Sequence, residues 1–178
     1  MNQHEPRTLG YYASSNWFHG TVVFVVFGLL AIGILNALDE AMERAEEHVV
    51  DQTLRNMQMG LRLAQFQVQM RQQAVPVTAW AGQNPVQWLA APPTGYRGEC
   101  SAKGSRQLSG GEWCFEVSLG ELVYRPKNDR HLRWTDGEHP DGKGNRRLRW
   151  KVTSRNQAGV SVPTVEKVTS YAWFQGYD

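Results

Sequence analysis

Five histidines stand at positions 4, 19, 48, 131 and 139, and no two fall at the spacing of a helical or ribbon metal site. The chain has no Gly-rich phosphate loop, nucleophile elbow or H-E-x-x-H helix, and the glycines between 95 and 111 do not follow G-x-x-x-x-G-K. Neither a catalytic site nor a cofactor is expected from this inventory. Asp136, Glu138 and Asp141 share a turn with two glycines and a proline, and their oxygens suit a hard cation. They lack EF-hand spacing, so a solvated acidic turn is expected and a bound metal is not.

A basic cluster is the other candidate for chemistry. Arg130, Arg133, Lys143, Arg146, Arg147, Arg149, Lys151 and Arg155 surround Trp134 and Trp150, a composition found in nucleic-acid footprints. Strand alternation turns Trp134 and Trp150 inward, away from any base. Arg133, Arg146, Arg147, Arg149 and Lys151 therefore read as a solvated sheet face suited to an acidic partner, with DNA the less favoured occupant. Cys100 and Cys114, the only cysteines, exclude a Cys-only zinc site and a cysteine-rich scaffold. Outside the cytoplasm they are expected to form a disulfide, and inside it two thiols.

The elements that hold these residues begin with residues 21–38, TVVFVVFGLLAIGILNAL, which carry no charge and only Thr21 and Asn36 as polar side chains. At 1.5 Å per residue the segment spans about 27 Å, close to one bilayer core. Trp17 and Phe18 stand at its entry, where aromatic rings favour the headgroup layer. A cleaved signal would have a shorter apolar run, a basic flank and a small-residue cleavage site. A single transmembrane helix is the expectation. Residues 1–20 carry only Arg7 and Glu5, whereas Asp39, Glu40, Glu43, Glu46, Glu47 and Asp51 against Arg44 leave the far flank at −5. The tail 1–20 is expected in the cytoplasm and the remainder outside it.

Residues 39–75 are expected to continue as an extracytoplasmic amphipathic helix ending before Pro76. Val50, Leu54, Met57, Leu61, Ala64 and Val68 follow a 4-3-4-3-4 spacing and share one face, with Met42, Ala45 and Val49 as an upstream beginning. Arg55, Arg62 and Gln69 lie off that face. The stripe packs either on the chain's own sheet, the favoured reading, or on a partner as a coiled coil. Gly33, Ala37, Ala41 and Ala45 form a ladder of small side chains suited to close helix packing.

Residues 76–111 read as a Pro/Gly-rich linker with Trp80, Trp88 and Tyr96 as anchors, and 112–178 as an antiparallel sheet domain. Residues 113–117 and 121–124 are expected to pair as a hairpin. Residues 147–153 alternate, with Leu148, Trp150 and Val152 buried, and 167–174 give a final strand. The fold class is therefore α+β, with a transmembrane helix continuing as a long helix packed on a small antiparallel sheet.

This layout resembles the type IV pilins and pseudopilins. Residues 84–99, NPVQWLAAPPTGYRGE, resemble the segment those proteins place after the long helix. Gly111-Glu112-Trp113-Cys114-Phe115, followed by 120–126, GELVYRP, resembles their first sheet hairpin. The likeness covers roughly residues 20–155. Family precursors are cut after a glycine followed by Phe-Thr-Leu-Ile-Glu, and the glutamate helps dock a subunit into the fibre. Here Gly20 precedes Thr21-Val22-Val23-Phe24-Val25, so Val25 takes the glutamate's place, and no basic run flanks the site. The resemblance thus implies a non-enzymatic pilin-like protein that keeps residues 1–20, stays anchored in a bacterial inner membrane with its sheet domain periplasmic, and works with other pilus-assembly proteins or pilins. A fibre-incorporated minor pilin, a membrane-anchored ligand-binding module and a DNA receptor are the alternatives.

The averages conceal this division. A net charge of +2 combines −5 over residues 39–51 with +7 over 52–178, and a mean hydropathy of −0.50 dilutes one apolar run.

Overall fold

The computed structural model describes residues 11–71, 77–135, 146–157 and 160–173. Helix α1 occupies Tyr11–Met70. The chain divides into two compact units, Met1–Met42 and Glu43–Asp178.

In the first unit every described side chain from residue 17 to 38 is exposed. Phe24 is 80% exposed, Phe27 and Ile34 67%, and Leu30 58%. The most apolar window has a mean hydropathy of 2.5 and none of it is buried, so the helix is long and apolar enough to cross a membrane. Gly33, Ala37 and Ala41 are all exposed here, and a Cβ added at Gly33 would meet nothing within 4 Å.

The second unit is a sheet with the last part of α1 against it. Five strands run in the order β1-β2-β3-β5-β6, with β1 at Tyr96–Cys100, β2 at Glu112–Glu116, β3 at Glu121–Arg125, β5 at Leu148–Gln157 and β6 at Val160–Lys167. Strands β4 (Leu132–Trp134) and β7 (Tyr171–Trp173) form a separate antiparallel pair. The 113–124 hairpin and the alternating strand at 148–152 form as their patterns predict. The antiparallel expectation is corrected at one edge, because β1 runs parallel to β2. It starts within the proline- and glycine-rich stretch, where Gly95 takes φ +81° and Gly98 φ +86°. The final strand also differs from expectation: Lys167 ends β6, and only Tyr171–Trp173 pairs again.

Period-2 alternation puts Trp113, Leu122, Tyr124, Leu148 and Trp150 on one sheet face, where they bury against Val50 and Met57 of α1. The rings of Trp113 and Tyr124 lie 4.2 Å apart between centroids, and those of Trp113 and Trp150 5.6 Å. Leu61, Ala64 and Val68 continue the contact toward Trp80 and Val152. The stripe from Val50 to Val68 therefore packs on the chain's own sheet, with Leu54 partly buried beside it.

Two details hold α1 in register. Gly60 lies under the 3₁₀ turn Pro85–Trp88, and a Cβ there would stand 2.3 Å from the Trp88 carbonyl oxygen, so only glycine fits. The Gln58 side chain accepts from the Val165 N–H at 2.8 Å and donates to the Pro163 carbonyl at 3.2 Å. It thereby occupies hydrogen-bonding groups on the outer edge of β6, the kind of edge that otherwise invites another strand.

Candidate functional site

The upstream part of the α1 seam is acidic. Counting back from Val50 at intervals of 3 and 4 leads to Glu47 and Glu43, and it is these that turn toward the sheet unit. Met42 and Val49, expected to begin an apolar stripe, are 48% and 60% exposed. The correction has a physical cause: carboxylates facing the domain find donors at the right places.

Glu43 is only 2% exposed and accepts three hydrogen bonds. They come from the His131 backbone N–H at 2.9 Å, the His131 ring Nδ1 at 2.8 Å and the Trp173 indole N–H at 3.1 Å. Glu46 accepts the Tyr124 hydroxyl at 2.5 Å and the backbone N–H groups of Lys127 at 2.7 Å and Asn128 at 3.3 Å. Two carboxylates one helical turn apart thus pin residues 127–131, and through Trp173 also β7, to the helix. Burial alone would raise the Glu43 carboxyl, but the bonds from His131 and Trp173 outweigh it and hold the group below the usual carboxylate range. Burial and Asp51 push Glu47 the other way.

A second charged group lies on the opposite face of the sheet. There helix α2 (Ala102–Arg106), with Ser101 as its N-cap, covers Cys114, Glu116, Val123 and Arg149. Arg149 Nη1 donates to Glu116 at 3.0 Å and Glu121 at 2.9 Å. Ser105 completes the Glu116 carboxylate at 2.8 Å and receives Arg147 Nη1 at 3.3 Å. Desolvation would raise Glu116, yet Ser105 and Arg149 keep it below the usual range.

The expected basic face is corrected accordingly. Arg147 and Arg149 are 1% and 6% exposed, because α2 and Leu108 cover what the alternation assigned to solvent. Arg133 remains exposed, and Arg146 and Lys151 are half-buried, with Arg146 bonded to Asp129. Trp150 is inside, as alternation requires, and Trp134 packs partly on the same core.

Cys100 and Cys114 form a disulfide, joining the end of β1 to the middle of β2 beside Leu108 and Val123. Among the described residues, no group of three His, Cys, Asp or Glu side chains converges as a cation site. Asp136, Glu138 and Asp141 lie outside the described residues. The linker aromatics are largely committed to packing: the Trp80 and Trp88 rings lie 5.4 Å apart, and the Tyr96 hydroxyl receives the Asn84 amide at 2.8 Å. Beside them runs a shallow groove between Asn56 and Met59 of α1 and Leu89 and Pro93 of the loop.

Glu43 and Glu116 are expected to make the unit sensitive to acid. Both have folded values below their unfolded one, so their stabilisation is complete above about pH 4.3. It is lost as pH falls through the lower folded values. Urea titrations of the full chain in detergent should show a flat midpoint from pH 7 to 5 and a steep fall below 4. In Glu43→Gln that acid slope should be shallower.

The fold and charged seams define an α+β protein: a long N-terminal helix, apolar and bare at its start, on a small mixed sheet closed by a disulfide. This architecture is compatible with a pilin-like fold. No protein-family model, curated protein or solved structure matches the chain.

Proposed function

We propose that the chain is a non-enzymatic, single-pass inner-membrane protein that assists assembly of a bacterial type IV pilus, of the mannose-sensitive haemagglutinin (MSHA) type. One observation carries the reading. A single helix is bare and apolar at its start and, further on, the packed backbone of a disulfide-closed sheet unit. An apolar surface of that size calls for lipid, and a disulfide in so small a unit suits an oxidising compartment such as the periplasm.

The amino-terminal tail lies in the cytoplasm and the sheet unit in the periplasm in this reading. Its partners are the inner membrane and other pilus-assembly proteins or pilins. Val25, standing where a pilin places its docking glutamate, favours an anchored factor over a fibre subunit. The test is a clean deletion: surface pili counted by electron microscopy should fall sharply and return on complementation. Normal piliation in the deletion strain would overturn the proposal.

A further inference from the structure

Within the sheet unit, α1 carries a second stripe that the chain itself leaves uncovered. Ala45, Val49, Gln52, Asn56, Met59, Leu63, Phe66 and Met70 follow one another at alternating steps of 4 and 3, and every one is exposed. At 100° per residue this row lies well round the helix from Val50, Met57 and Leu61, which face the sheet. It is a heptad seam, with Val49, Asn56, Leu63 and Met70 at one core position and Ala45, Gln52, Met59 and Phe66 at the other.

We propose that this seam pairs with the same seam of a second copy of the chain, in parallel and in register. Three observations select that occupant. Asn56 is a polar residue at the a position, where an asparagine meets its own counterpart only if two identical helices run parallel without stagger. Charge points the same way. Parallel pairing sets Arg55 of one helix opposite Gly60 of the other, and Arg62 opposite Gln67, without like-charge contact. Antiparallel pairing would bring the flanking rows with Arg55 and Arg62 against each other.

The third observation is size. Burying about 80 Å² from each of the larger side chains gives roughly 1,200 Å² in all, the lower limit for a stable protein pair. A seam this modest is weak in solution and effective where a membrane confines two copies in one orientation and at one depth. In this the inference rests on the anchored reading above.

Single cysteines introduced into the full-length chain in native membranes test it. Gln52→Cys and Leu63→Cys lie on the seam, and Lys103→Cys is exposed on α2, on the face of the sheet away from α1. With a mild oxidant the first two should shift most of the chain to twice its 20.2 kDa mass, and the third should leave it monomeric. Adding Leu63→Lys and Phe66→Lys should abolish the Gln52→Cys product. Equal cross-linking at all three positions, none at the seam, or a product with a different protein would overturn the proposal. Alkaline extraction of the same membranes separates the two readings. A chain released by carbonate contradicts anchoring, whereas one retained but uncross-linked contradicts pairing alone.

Discussion

Replacing Arg149 with methionine should lower the unfolding free energy by about 3–5 kcal/mol, the usual loss when one partner of a buried ionic group is removed. Glu116, 2% exposed, would lose its Arg149 donor and keep the Ser105 and Ser118 hydroxyls, and Glu121 would face it across the strand pair without the guanidinium they share. The two carboxylates would then repel, or one would take up a proton at a cost to folding. Arg149→Met combined with Glu116→Gln should recover part of the loss, because the uncompensated charge is gone. Chemical denaturation of the full chain in detergent measures both. A loss under 1 kcal/mol for the single variant would mean that water reaches the pair and that α2 does not seal this face.

Removal of the Cys100–Cys114 bond should cost about 3 kcal/mol by the loop-closure argument, for a closed loop of 14 residues. The loss concentrates at one edge. Among the described strands β1 pairs only with β2, and α2 connects them, so the bond ties an edge strand and the cover over Glu116 to the sheet. The Cys100→Ala/Cys114→Ala variant should unfold at lower denaturant and exchange amide protons fastest over residues 96–106. Reductant should reproduce the effect in the parent and do nothing to the variant. An unchanged midpoint in the variant would show that packing around Leu108 and Val123 holds β1 without the bond.

What the sequence discloses depends on whether one periodicity or two surfaces decide a residue's place. The row Val50, Leu54, Met57, Leu61 is legible because a single face of a single helix is buried. Leu148, Trp150 and Val152 are legible for the matching reason in a strand. Arg147 and Arg149 are misplaced by the same rule, since alternation assigns them to the second face of the sheet without knowing that α2 covers it. The five-residue α2 is too short for a periodic signal. The marks it leaves in the sequence are its serine cap at Ser101 and the lone Glu116 among apolar neighbours.

Glu43 and Glu46 show the opposite difficulty. A search for apolar residues follows Met42, Ala45 and Val49, whereas the buried row continues through carboxylates whose donors lie about 80 to 130 residues away in the chain. Extending the spacing backward from Val50 regardless of polarity reaches Glu47 and Glu43, with Glu46 next to the row. Strand β1 is not legible because its parallel partner follows it across α2, so no hairpin turn announces the pairing, and Gly98 lies at its middle, where the register shifts.

The central claim is that this chain remains an anchored factor and is not a processed fibre subunit. Intact-mass spectrometry of the mature protein purified from washed inner membranes tests it most directly. The account predicts a chain that still carries residues 1–20 ahead of Thr21, recovered with the membranes and absent from sheared pili. A mature amino terminus at Thr21, in a chain recovered from pili, would contradict it.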